Sequence, residues 1–145
     1  KGDEIGNDNY IDYLNKKELF ELSQLPNVTI GSHGATHTPL TKLSKNKLTD
    51  ELVSSKKYLE DVISKNINVI SYPHGGVNRN VIDAARNAGY KIGGTSHFNI
   101  NKYSQDPLLL SRTLITAGDF ERVYRQKLNG SWDWNRHRNI YYSNI

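Results

Sequence analysis

Cysteine and methionine are both absent from the 145 residues. Without thiols there is neither a disulfide nor a thiolate metal site, a composition that suits any compartment, the cell envelope included. Without methionine, Lys1 is not the start of an unprocessed translation product, and the chain reads as a processed or truncated piece of something longer. It has no apolar run long enough to cross a bilayer and no signal peptide. A removed N-terminus would make the second absence uninformative about export. An Asp-Asp pair at the end of an apolar strand is also missing. Charge of one sign is scarce too: the net charge is +4, and Lys and Arg are spread along the chain apart from Arg136, His137 and Arg138. That pattern favours a solvated surface over nucleic-acid binding.

Helical and strand signals alternate through what remains. Residues 1–13 are polar and read as a loop or frayed end. Asn15 is placed to cap a helix running to about Gln24, with Glu18 at the capping-box position, Leu14 and Leu19 spaced as a hydrophobic staple, and Pro26 stopping it. Val28 to Gly31 reads as a short buried strand. The longest helix is expected from about Ser44 to Lys65, with Leu48, Leu52, Ser55, Leu59, Val62 and Ile63 inward and Lys, Glu and Asp opposite. Val69 to Tyr72 is the next strand. Asn78 caps a helix with Val81, Ile82, Ala85 and Ala88 inward, ended by Gly89. Tyr90 to Gly93 is a third strand, and Leu108 to Ile115 contains a fourth. Asp119 can cap a final helix carrying Phe120, Val123, Tyr124 and Leu128, closed by Gly130. Trp132, Trp134, Tyr141 and Tyr142 mark a tail expected to pack on something, and His97 and His137 read as surface residues.

Short apolar strands separated by helices argue a parallel α/β sheet. In such sheets the active site lies at the carboxyl ends of the strands. Two polar segments fall directly after predicted strands: Ser32-His33-Gly34-Ala35-Thr36-His37, and Tyr72-Pro73-His74-Gly75-Gly76. His33 and His37 can aim at one point if the backbone turns between them, and such a pair is a plausible half-site for Zn²⁺. Each segment has a plainer reading. His33 could only hydrogen-bond at the strand end, and Pro73 to Gly76 could be only a turn.

At these residues the chain resembles the polysaccharide deacetylase, or NodB-homology, family of carbohydrate esterases, built on a distorted (β/α) barrel. Ser32 to Leu40 looks like the family's second motif, the metal-binding His-Ser/Thr-x-x-x-His with its Pro-x-Leu continuation. Ser71-Tyr72-Pro73-His74-Gly75 is similar to its third motif, Arg-x-Pro-x-Gly, and Asn78 to Tyr90 looks like its Asn-capped helix ending in Ala-Gly-Tyr. The likeness covers roughly residues 14–134 as a partial domain, leaving 135–145 as a tail. The family's first motif, which supplies an Asp base and an Asp metal ligand, would precede residue 1 together with the first strands. Gly34 stands where Thr or Ser is preferred, Ser71 replaces the Arg that orients the base, and His74 replaces an aromatic. Ser111-Arg112 occupies about the place of the late Leu-x-His whose His is the general acid. A branch of the family that reads Tyr-Pro-x-Gly and carries a late Arg is the nearest match.

The resemblance implies hydrolysis of N-acetyl or O-acetyl groups on a polysaccharide or sugar, with a divalent metal, Zn²⁺ first, on His33 and His37. It assigns the backbone N–H of His74 to the oxyanion, Tyr72, Pro73 and Gly75 to the substrate pocket, and Arg112 to the acid's place or to substrate binding. Arg is a poor proton donor. The expected partner is an acetylated glycan and no nucleic acid, and another chain or an upstream segment is expected to cover the open sheet. The envelope or extracellular space is favoured as location, with the cytoplasm left open. A degenerate glycan-binding member, or an incomplete α/β piece needing a partner chain, are the alternatives to an enzyme.

Overall fold

The computed structural model describes residues 13–130. Its order is α1 (Lys16–Gln24), α2 (Lys45–Ile63), β1 (Val69–Ser71), α3 (Arg79–Asn87), β2 (Ile92–Gly94) and α4 (Glu121–Leu128), with 3-10 turns at Leu40–Lys42, Pro73–Gly75 and Pro107–Leu109. The two strands pair in parallel, with Val69 opposite Ile92 and Ser71 opposite Gly94. A further extended segment flanks each strand, held by single parallel bridges, Ser32 to Ile70 and Gly94 to Leu110. Four extended segments therefore run side by side in one direction, as expected for crossovers made by helices.

Local chemistry explains the helix ends. Asn15 forms a full capping box with Glu18: the Asn15 side chain accepts from the Glu18 N–H, and the Glu18 carboxylate accepts from the Asn15 N–H. Asn78 caps α3 by accepting from the Val81 N–H, and Gly89 leaves that helix with φ +90°, a conformation that glycine takes without a Cβ penalty. The core gathers Leu48, Leu52 and Ile63 from α2, Ile70 and Tyr72 around β1, and Val81 and Ala85 from α3. Leu40, Ile67, Tyr90 and Leu108 close it from the connections.

Four expectations need correction. Val28 to Gly31 is extended but forms no strand: only Ser32 pairs, donating to the Val69 carbonyl and accepting from the Ser71 N–H. One bridge on one side does not make a ladder. In the same way, Leu108 to Ile115 is a 3-10 turn followed by the single bridge at Leu110. The final helix starts from Phe120, not Asp119, because the Asp119 carboxylate is taken by the Thr116 N–H and by Lys127. Its apolar residues Phe120, Tyr124 and Leu128 remain exposed. Last, Glu51 does not lie on the outer face of α2 but is buried with Leu48, Leu52 and Ser55. The aromatic tail and the Arg136-His137-Arg138 cluster lie outside the described residues. No helix among the described residues is long and apolar enough to cross a membrane.

Candidate active site

The carboxyl ends of the parallel segments all face one edge of the sheet. The 33–37 loop follows the Ser32 bridge, the 73–75 turn follows β1, Thr95 and Ser96 follow β2, and Arg112 follows the Leu110 bridge. That edge brings three imidazoles together. The His33 and His37 ring centroids are 4.9 Å apart, and those of His37 and His74 are 4.6 Å apart. All three side chains are exposed and accessible to a ligand.

Backbone conformation makes the cluster possible. Gly34 and His37 in the first loop have φ +80° and +59°, and His74 and Gly75 in the second have φ +57° and +66°. Left-handed residues turn each loop back across the strand ends. Non-glycine residues there cost free energy that surrounding contacts must offset. The contacts are present. His33 Nδ1 lies 2.6 Å from the Ser71 carbonyl oxygen, and His74 Nε2 lies 3.2 Å from the His37 carbonyl oxygen. A carbonyl accepts only, so each of these ring nitrogens carries the hydrogen. In the neutral ring His33 then keeps its lone pair on Nε2. This is how a metal-binding imidazole is ordinarily oriented, by donating its other nitrogen's hydrogen to a carbonyl.

Beneath the loops lies a buried polar chain. The Gly34 N–H donates to Ser32 Oγ, Ser32 Oγ is 2.9 Å from Ser55 Oγ, and Ser55 Oγ is 3.3 Å from the Tyr90 hydroxyl, which donates to the Leu52 carbonyl. Each hydroxyl thus finds a partner out of water, removing the penalty of an unpaired buried polar group. Glu51 completes the support. Its Oε1 accepts from the Ala35 N–H at 2.8 Å and the Thr36 N–H at 2.6 Å, and both oxygens lie 3.1 Å from Thr36 Oγ1.

The assigned pocket residues fare differently. Tyr72 is a correction: its side chain is fully buried, and its hydroxyl donates to the Leu108 carbonyl at 2.9 Å. Burial pushes its hydroxyl up to about 12, with Asp106 adding to the rise and Arg86 opposing it. It is a core residue and walls no pocket. Pro73 is likewise buried, and a Cβ on Gly34 would sit 3.3 Å from Pro73 Cγ, so the ring is a floor for the first loop. Gly75 is buried as well, with Ser96 packed so closely that a Cβ there would lie 2.1 Å from Ser96 Oγ. Arg112 is exposed. Its Nε donates to the Thr95 carbonyl at 2.7 Å, and none of its hydrogen bonds among the described residues reaches an imidazole.

Among the described residues no group of three or more His, Cys, Asp or Glu side chains is disposed to hold a metal ion. The donors that fit one are the His33 and His37 imidazoles, a partial set. Ser32, Glu51 and Ser96 were not foreseen. A signal for Glu51 existed: it is three residues after Leu48 and four before Ser55, the spacing of the inward face. Nothing in the sequence marked Ser96.

The model of the polysaccharide deacetylase family matches residues 5–93. "Putative polysaccharide deacetylase YxkH" of Bacillus subtilis (strain 168) is 27% identical over 106 residues, covering 73% of this chain and 38% of that protein. Among solved structures, Streptococcus pyogenes deacetylase PplD in complex with acetate superposes with a TM-score of 0.74 at 26% identity, over 82% of this chain and 52% of that one. BC0361, a polysaccharide deacetylase from Bacillus cereus, has the same fold, with a TM-score of 0.72 at 24% identity over 83% of this chain and 38% of that one. The chain thus spans about half or less of the length of these relatives. Its α/β unit of parallel segments and helices is a portion of the NodB-type fold. With the family model matched over more than half of its residues, the chain belongs to the polysaccharide deacetylase family.

Proposed function

We propose that the whole protein is a metal-dependent hydrolase that removes N-acetyl or O-acetyl groups from a polysaccharide. The observation that carries this reading is the imidazole pair at the strand ends, with His33 tied through Nδ1 to the Ser71 carbonyl and its Nε2 left to bind. Family membership supports the same reaction class, as does the resemblance of PplD, a deacetylase solved with acetate.

His33 and His37 would hold the metal, most simply Zn²⁺, together with a ligand from outside the described residues. When bound, the metal supplies Lewis acidity toward the acetyl carbonyl and lowers the pKa of a bound water. A carboxylate base from outside the described residues would take the water's proton, and the described groups would bind and orient the substrate. The His74 N–H, in a left-handed turn beside the pair, would donate to a developing oxyanion. Arg112, exposed at the neighbouring strand end, would bind a hydroxyl or carbonyl of the glycan. With Tyr72 and Pro73 buried, the pocket wall falls instead to exposed groups at the same edge, among them Ser96.

The test is acetate release from several acetylated glycans by the full-length protein, with and without chelator. Release that chelation abolishes is the expected result. Glycan binding without acetate release, metal supplied, would make the protein a non-catalytic glycan-binding member of the family.

A further inference from the structure

We propose that Glu51 is a positioning residue for the metal half-site: its carboxylate, reaching up from α2, holds the 33–37 loop in the one conformation that brings His33 and His37 together. The proposal rests on the metal reading of those two residues. Glu51 is 8% exposed, and no Lys or Arg pairs with it among the described residues. A buried carboxyl without a cationic partner is costly unless hydrogen bonds replace its water. Here every such bond comes from the loop between the two histidines: the Ala35 and Thr36 N–H groups and the Thr36 hydroxyl. The dependence is mutual. The loop's two consecutive N–H groups have no strand or helix to pair with, and the carboxyl has no other donors.

Gly34 fits this arrangement. A Cβ there would lie 3.0 Å from Glu51 Oε1, and its φ is +80°, so a side chain at position 34 would both strain the backbone and press on the carboxyl. With Thr36 pinned and Gly34 turned, His33 and His37 leave the loop on the same side, at the 4.9 Å ring separation observed. Released from Glu51, the four intervening peptide units would sample other turns, and the half-site would lose its preorganisation.

Reach, more than charge, is the property this role needs. Glu51→Gln keeps an oxygen where the two N–H groups point. Glu51→Asp keeps the charge but withdraws it by one methylene, and Glu51→Ala removes the acceptor. The experiment uses the full-length protein and measures Zn²⁺ affinity by competition with a chromophoric chelator. It also measures backbone hydrogen exchange at Ala35 and Thr36 in the metal-free state. Glu51→Ala and Glu51→Asp should bind Zn²⁺ about 10–100-fold more weakly, the range for lost outer-sphere support, with both amides exchanging faster and those of α3 unchanged. Glu51→Gln should restore affinity to within about threefold of wild type. Should Glu51→Ala fail to fold, the Asp and Gln variants decide. Zn²⁺ affinity equal in wild type and the Asp variant, or a Gln variant as weak as Ala or Asp, overturns the positioning role. A wild-type protein that takes up no Zn²⁺, indistinguishable from His33→Ala, overturns the metal reading and this proposal with it, a different result from the first.

Discussion

His33 and Ser71 are joined across the strand ends: the imidazole Nδ1–H donates to the Ser71 carbonyl over 2.6 Å. The bond links the loop after one extended segment to the end of β1, and it fixes which ring nitrogen of His33 is left to accept or ligate. Ser71 stands where the family motif reads Arg, but the contact uses its main chain, which any residue provides.

The first prediction follows from that tie. His33→Ala with His37→Ala should abolish stoichiometric Zn²⁺ in the full-length protein, as measured by metal analysis after dialysis, because a catalytic zinc ordinarily has three protein ligands and this removes two. Equal metal content in wild type and double variant would refute the assignment. A single His37→Ala should already lower affinity strongly while leaving the His33–Ser71 bond intact.

Tyr72→Phe isolates the buried hydroxyl. The substitution keeps the ring in the core but leaves the Leu108 carbonyl without its donor, a loss of about 1–3 kcal/mol in urea unfolding. Alkaline pH adds a second reading. The folded hydroxyl titrates at about 12, above the unfolded value of about 10. The stability this group contributes is therefore fully present below about pH 10 and falls as the pH rises toward the folded value. The Phe variant should lack that component of the alkaline decline.

Gly93→Ala tests the close approach of β2 to the same hydroxyl. A Cβ at Gly93 would lie 2.4 Å from Tyr72 Oη and 2.7 Å from the Leu108 carbonyl oxygen. The strand cannot yield without breaking its pairing to β1, so a loss of roughly 1–3 kcal/mol or more is expected. Because both substitutions act at one contact, Gly93→Ala and Tyr72→Phe should be non-additive, the double variant losing less than the sum. Additive losses would place the clash elsewhere.

Acid stability should depend on Glu60. Its carboxylate accepts from Lys56 Nζ at 2.6 Å and from the Ile67 N–H at 2.9 Å, and those bonds hold its pKa below the usual value, outweighing burial. Its contribution is thus present above the unfolded carboxylate value of about 4.3 and is lost as the pH falls through the lowered folded value. Glu60→Gln should lower stability at pH 7 and flatten this part of the acid transition. An unchanged difference between the two proteins from pH 7 to pH 3 would show that the pair contributes nothing to it.

The helix ends were legible because their causes are local. Asn15 with Glu18, and Asn78 followed by Gly89, act within a few residues, and each occurs as read. The strand-end placement of both polar segments was legible too, since alternating helix and strand signals imply a parallel sheet with its functional edge at the carboxyl ends. Side-chain direction was less so. The resemblance puts Tyr72 in the pocket, yet it lies two residues after the buried Ile70, on the same face of the extended chain, and its hydroxyl meets the Leu108 carbonyl in the core, whereas His74 escapes that alternation in a left-handed turn.

What the sequence determined alone is the set of histidines, their spacing, the caps of α1 and α3, and the family. Whether residues 33, 37 and 74 meet was decided by tertiary structure, because their approach depends on left-handed turns stabilised from elsewhere in the chain. Glu51 is 15 residues beyond the Thr36 amide it receives, and Ser71 is 38 beyond His33. No local propensity encodes such bonds. They form only when α2 and β1 have packed, and packing then turns a buried carboxyl and an ordinary carbonyl into supports for the site.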